Sequence, residues 1–446
     1  MLTPLHDHRR YLCPGDPAPI SRSVHLARLA ASYPKCRSCA HGSETRPCEI
    51  SVVAGPLIVS PSAGLQGTDH GFRGRAGEPL DRRLAMHWAG AFASLLWDDS
   101  FIWEMSAPDT SAAVASALAQ IETLAQSARR SPVVVIGYDE RPGSPEVLTG
   151  IARGLERMSC QVHDIGLTTE PCLRFGIDAV RADAGLFVTG SGFDPSWVGF
   201  DAFRQLGLPP EPAFLERWQA RVQTSITRPS RSPGGLCGGS VAERYEAAMS
   251  QRFHALRPLT VVCGATSRQL LSRLERVFAR LPCRVCLESL PTRRRNLSDA
   301  EDVDLLRVGS AVRQHDAHLG IVIAEDSSAC GFVDETGRVV DQTNLQARLI
   351  QHLLGDDPAG TIVLDTNVWD QLAPVVTSAG GRPVLVASAD RAARLLADNA
   401  LAACGGDHRL WLRGTAPVCD AIVTLAAVLQ LLSRSDAEFS RVLSND

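Results

Sequence analysis

Three short strand-like stretches, at residues 131–136, 160–165 and 184–188, are separated by segments long enough for a helix, and this alternation limits the possible folds. Val133-Val134-Val135-Ile136 and Ala184-Gly185-Leu186-Phe187-Val188 have strand length and no polar interruption, as strands buried on both faces do. The first run breaks at Gly137-Tyr138-Asp139-Glu140-Arg141-Pro142-Gly143-Ser144-Pro145 and continues as a helix to residue 157. The second breaks at Gly166-Leu167-Thr168-Thr169-Glu170-Pro171 before another helix. Strands alternating with helices imply a parallel α/β sheet with right-handed crossovers. The third run passes into Thr189-Gly190-Ser191-Gly192-Phe193-Asp194-Pro195, whose glycines and proline read as a turn. Ser191 is therefore expected just past the carboxyl end of a strand, where open α/β sheets place their ligands.

A chain of 446 residues has room for about three domains, and 45% hydrophobic residues suffice for their cores. A net charge of −4 argues against nucleic-acid or anionic-membrane partners. No apolar run approaches the roughly 18 residues of a spanning helix, and the first residues lack the basic-then-apolar order of a signal peptide. A cytoplasmic protein is expected. Most of the 13 cysteines, such as Cys160, Cys263, Cys283 and Cys330, sit in apolar patterns and read as small buried hydrophobes. Every basic residue except Lys35 is an arginine.

Residues 1–55 read as a small cysteine-containing module. Cys36-Arg37-Ser38-Cys39 has the spacing of a metal knuckle, and Cys13 with His41 or Cys48 could complete a tetrahedral zinc site. His6 and His8 are further candidates, and a metal-free extension with reduced cysteines is the alternative. Beyond it, Gly67-Thr68-Asp69-His70-Gly71-Phe72-Arg73-Gly74 is a glycine-rich loop ahead of helical stretches at 84–96 and 111–127. Past a Pro/Ser/Gly-rich linker near residue 230, a second α/β unit runs to Asp334-Glu335-Thr336-Gly337 and a third starts at Gln342. Strands are expected at 259–263, 283–288 and 360–364, with helices at 241–253, 268–280, 301–315, 368–378 and 420–432.

The order GTDHGFRG, VVVIGYDERPGSPE, GLTTEP and LFVTGSGFDPSWVGF resembles the α-D-phosphohexomutases, the phosphomannomutase/phosphoglucomutase family, over about residues 60–440. The resemblance implies three consecutive mixed or parallel-sheet α/β domains here: 56–225 with the serine loop, 226–340 with the metal loop, and 341–446 with the sugar-binding loop. It also implies interconversion of hexose 1- and 6-phosphates through a phosphoserine and a magnesium ion, with Ser191 as phosphoryl carrier and Arg73 facing it. Gly405, Gly406, Asp407 and His408 correspond to the sugar-binding loop. A fourth, smaller domain that grips the second phosphate is also implied, and no segment before Asp446 reads as one. Arg413-Gly414-Thr415 reads as a linker, and Arg293-Arg294-Arg295 as a solvated loop.

Several positions depart from the family pattern. The metal loop shows Ala324, Asp326 and Ser328 where three aspartates are implied, and Ala329 in place of an arginine. Two adjacent carboxylates, Glu325 and Asp326, remain, and neighbours on an extended loop point apart. Magnesium prefers an octahedron of oxygens, so the implied site is degenerate at Asp326. The serine motif has lost its histidine, and Asp201 stands where it should end in lysine. The expected function is a sugar-phosphate-binding, regulatory or assembly protein on a mutase scaffold, with impaired or absent catalysis. The alternative is a divergent phosphoglucomutase or phosphomannomutase that still loads Ser191. The expected partners are a weakly bound hexose phosphate and a protein partner or second copy.

Overall fold

The computed structural model of the chain describes residues 10–14, 16–30, 33, 36, 39–41, 65–98, 131–227, 232–414 and 416–444. The chain divides into two compact units, Met1–Ser60 and Pro61–Asp446. The helix expected at 111–127 lies outside the described residues, as do His6, His8 and Cys48. Among the described residues, no helix is long and apolar enough to cross a membrane.

In the first unit, strand β1 (Arg10–Tyr11) pairs antiparallel with β2 (Ile20–Ser21), and a helix follows over Arg22–Ala30. The zinc set expected from Cys13, Cys36, Cys39 and His41 does not assemble. Among the described residues no group of three or more His, Cys, Asp or Glu side chains is placed to hold a metal ion. Cys13 and Cys36 are buried, and Cys39 is half-buried. The His41 ring instead meets the Tyr11 ring edge-on at 5.3 Å, while Tyr11 stacks on His25 at 4.1 Å. An aromatic cluster occupies that histidine.

The described residues of the second unit form three sheets. The first orders its seven strands β3 (Gln66–Gly67), β4 (Gly71–Arg75), β8 (Trp197–Arg204), β7 (Ala184–Thr189), β5 (Val133–Tyr138), β6 (Gln161–Leu167) and β9 (Leu236–Gly238). Strands β7, β5, β6 and β9 are parallel, and β8, β4 and β3 extend the sheet antiparallel. The second sheet orders β11 (Arg284–Ser289), β10 (Thr260–Ala265), β12 (Leu319–Ile323) and β13 (Cys330–Asp334). The third orders β15 (Arg382–Val386), β14 (Thr361–Asp365), β16 (Ala402–Cys404), β17 (Trp411–Leu412) and β18 (Val418–Cys419).

The sheets share one plan. In each, the last parallel strand folds straight back into an antiparallel neighbour: β7 into β8, β12 into β13, and β16 into β17. The three connections carry Ser191, Asp326 and Asp407. One apolar cluster continues from the second sheet into the third, from Val261 and Ile321 through Ile362 to the helix Ala421–Leu432. That helix is apolar nearly all round, so it is buried nearly all round. Asp420 caps it by accepting from the Ile422 N–H at 2.7 Å, and Tyr245 donates to the same carboxylate.

The first sheet is backed by packed aromatic rings, Phe72, Trp88, Phe92, Phe200, Phe214 and Trp218, all shielded from solvent. The Trp218 ring lies 5.3 Å from Phe72 and 4.9 Å from Phe92, and its indole N–H donates to the Trp88 carbonyl at 2.9 Å. Trp218→Ala would leave a cavity and remove the indole hydrogen bond to the Trp88 carbonyl. It should cost about 3–5 kcal/mol, read as a lower urea midpoint followed by circular dichroism.

Candidate functional site: an ion-paired junction of three hairpin loops

Ser191 sits on the β7–β8 connection, where Gly192 takes a φ of 83° and the Ser191 N–H donates to Thr189 Oγ1 at 3.0 Å. Arg141, from the loop after β5, engages all five of its N–H groups, three of them on this turn. Nη1 donates to the carbonyls of Asp194 and Trp197, each at 2.7 Å, and Nη2 to that of Phe193 at 3.0 Å. Nε and Nη2 also reach the two oxygens of Glu325, both at 2.6 Å. Asp139 completes the clamp by accepting from the N–H groups of Arg141 and Gly190, each at 3.1 Å. A Cβ on Gly190 would fall 2.3 Å from Arg141 Nη1, so only glycine lets the guanidinium lie against the turn.

Glu325 and Asp326 point apart on the β12–β13 connection. Glu325 goes to Arg141. Asp326 Oδ1 accepts from the Ser328 N–H and hydroxyl, both at 2.9 Å, while Oδ2 accepts from Arg409 Nη2 at 3.0 Å and from the Ser191 hydroxyl at 3.3 Å. Burial alone would raise the Asp326 pKa, but Arg409 and Ser328 outweigh it and hold the carboxyl below its ordinary range. Burial likewise raises Glu325, and Arg141 only partly offsets it.

On the β16–β17 connection, Asp407 is gripped bidentately by Arg391 at 2.9 and 2.5 Å. Gly405 lets this happen, since a Cβ there would sit 2.1 Å from Arg391 Nη1. The Gly405 carbonyl accepts from Gln346 at 2.9 Å, and the His408 ring lies 2.7 Å from the Ser298 hydroxyl. A cavity of about 320 Å³ opens beside Gly405, Gly406 and His408, bounded opposite by Ser298, Asp341 and Gln342.

Two expectations need correction. Arg73 does not present its guanidinium to Ser191. It is buried and makes a bidentate pair with Asp201 at 2.8 and 2.6 Å across the β4–β8 pairing. The charge of Asp201, which stands where the resemblance implies a lysine, is thereby neutralised. The arginine run is not solvated either: Arg293 and Arg295 pair with Asp302 and Asp304. Nearby, His70 is pushed down to about 3 by burial and then by Arg409, which leaves it neutral. Sequence reasoning assigned no role to Arg141, Arg391, Arg409 or Glu170. Arg409, two residues past Asp407, was open to notice as the next charge in that loop.

The residues present do not fit a magnesium ion. Ala324 offers no ligand, both oxygens of Glu325 are spent on Arg141, and both oxygens of Asp326 accept hydrogen bonds, one of them from Arg409. A dication needs free carboxylate oxygens. What the arrangement does chemically is orient the Ser191 hydroxyl toward a carboxylate of depressed basicity.

Two outcomes follow. Arg141→Ala would strand Glu325 in the interior and should cost roughly 3–5 kcal/mol in urea unfolding. Arg141→Lys should recover only part, since an ammonium has three donors rather than a five-donor fork. Glu170 is buried and lies 3.1 Å from Arg174 without hydrogen-bond geometry, so desolvation prevails over Arg174 and pushes its carboxyl up to about 7. The folded state therefore holds this proton more tightly than the unfolded chain does. The stability it contributes is complete below about 4.5 and is lost as pH rises through about 7. Glu170→Gln should flatten the stability profile across that window, measured by urea titrations at successive pH values.

The family model described as phosphoglucomutase/phosphomannomutase, alpha/beta/alpha domain I, matches residues 101–228. A phosphomannomutase/phosphoglucomutase of Pseudomonas aeruginosa is 23% identical over 329 residues, covering 71% of this chain and 69% of the relative. A phosphoglucosamine mutase of Picosynechococcus is 23% identical over 333 residues, covering 71% of this chain and 58% of the relative. Among solved structures, a phosphoglucomutase/phosphomannomutase family protein of Burkholderia thailandensis superposes with a TM-score of 0.69 at 21% identity, over 84% of this chain and 79% of that one. The parafusin phosphoglucomutase of Paramecium gives 0.65 at 14% identity, over 86% and 74%. The structural likeness shows the fold. Together with the matched domain and the serine-bearing hairpin, the sequence relatives make the chain a member of the α-D-phosphohexomutase family.

Proposed function

We propose that the chain binds a hexose phosphate where its three hairpin loops meet, with little or no mutase turnover. One observation carries this reading: the 324–329 loop commits both of its carboxylates to arginines, Glu325 to Arg141 and Asp326 to Arg409. Phosphoryl transfer needs neutralisation of the migrating phosphate and a base of matched pKa for the hydroxyl proton. Asp326 contacts Ser191 but is held acidic, which makes it a poor proton acceptor. The phosphate would lie against Ser191 and Arg409, and the sugar in the cavity beside Gly405, Gly406 and His408. Its volume of about 320 Å³ is at the small end of ligand pockets, which suits one sugar ring. Zinc has no role in this reading.

A second reading keeps Ser191 as a phosphoryl carrier, favoured by the hydroxyl already aligned on Asp326 at 3.3 Å. Glucose or mannose 1-phosphate, magnesium and a trace of hexose 1,6-bisphosphate, followed by phosphorus NMR and intact-mass spectrometry, separate the two. The first expects no conversion above background, an unmodified Ser191, and calorimetric binding on the order of millimolar. Conversion at rates typical of enzymes would overturn it, and a phosphate found on Ser191 would establish the second.

A further inference from the structure

We infer that the guanidinium of Arg409 takes the place of a divalent cation beside Ser191, so that the site receives a phosphate monoester without metal. The inference rests on the hexose-phosphate reading and names the group that would meet the phosphate. Arg409 belongs to the third sheet's hairpin, yet its backbone makes an antiparallel bridge to Ala329 of the second sheet's hairpin. That bridge delivers the side chain to the carboxylate that also holds the serine hydroxyl. Nε donates to Ser328 Oγ at 3.0 Å and Nη2 to Asp326 Oδ2 at 3.0 Å, while Nη1 stands 3.6 Å from the Asp407 carboxylate. Two of the five N–H groups are thus spent on hydrogen bonds. The others, on Nη1 and Nη2, remain for a ligand, and a quarter of the side chain stays open to solvent.

The chemistry of substitution is direct. A dication at Asp326 would have to displace a delocalised cation that cannot lose its proton, whose charge is locked further in place by Asp326 and Asp407. Ala324 and the fully engaged Glu325 offer nothing to compensate. A guanidinium fork, by contrast, suits the oxygens of a phosphate monoester and donates to two of them at once. The Ser191 hydroxyl shares Asp326 Oδ2 with Arg409, so a phosphate that reached Ser191 would lie beside these free donors.

The full chain decides this by calorimetry with inorganic phosphate and with glucose 1-phosphate, each in EDTA and in magnesium, and by manganese titration followed by electron paramagnetic resonance. Wild-type affinity for phosphate should be the same within about twofold in EDTA and in magnesium, and Arg409→Met should weaken it about tenfold or more in EDTA. Arg409→Lys keeps a cation against Asp326 and should fall between the two, which keeps the comparison available if the methionine variant fails to fold. Affinity that rises about tenfold with magnesium, or manganese binding by the wild type, overturns the inference. So does phosphate binding indifferent to both substitutions. A wild type that binds phosphate through Arg409 but not glucose 1-phosphate upholds the inference and removes the hexose-phosphate reading.

Discussion

The pair between Arg409 and Asp326 is the contact on which the candidate site depends. It joins the hairpin of the third sheet to that of the second, and through the shared carboxylate oxygen it reaches the serine loop of the first. Charges removed from water must be paired and hydrogen-bonded, because a buried charge left alone costs several kcal/mol. The junction meets this demand with arginine forks: Arg141 on Glu325, Arg391 on Asp407, Arg73 on Asp201 and Arg409 on Asp326. Removing one partner would strand the other, so the loops are held as a set.

The geometry behind this set is a threefold repetition of one strand plan. In each sheet the last parallel strand reverses into an antiparallel one, and the reversal is where a chemically active side chain is displayed. Tight approach makes the clamps work, and glycine supplies it twice in the same way. Gly190 admits Arg141 and Gly405 admits Arg391, each at a distance that no Cβ would tolerate. An inventory of arginine with a single lysine suits this design, since a lysine ammonium could not hold three carbonyls and a carboxylate together as Arg141 does.

Much of the fold was legible in the chain. Strands expected at 131–136, 160–165 and 184–188 appear at Val133–Tyr138, Gln161–Leu167 and Ala184–Thr189; the first and third are buried and therefore apolar, while the second is half-buried and carries Gln161, His163 and Asp164. Strands at 259–263 and 360–364 and the helix at 420–432 read as clearly for the same reason. The antiparallel returns β8, β13 and β17 were harder to read, since their glycines and short lengths look like loop. In the site, Ser191 and Asp326 were legible from the turn that presents each of them, whereas the partner of Arg73 was not.

The sequence by itself determined the α/β class and the loops that carry Ser191, Asp326 and Asp407, because these follow from local periodicity and turn chemistry. Only the tertiary structure decided which charge meets which. Arg73 and Asp201 are 128 residues apart, Arg141 and Glu325 184, and Asp326 and Arg409 83. Ion pairing follows distance in space and desolvation, and neither is written in the spacing of residues along a chain. Arg73 was therefore expected to face the serine, yet it is spent inside the first sheet, and a residue of the third sheet stands beside Ser191 instead.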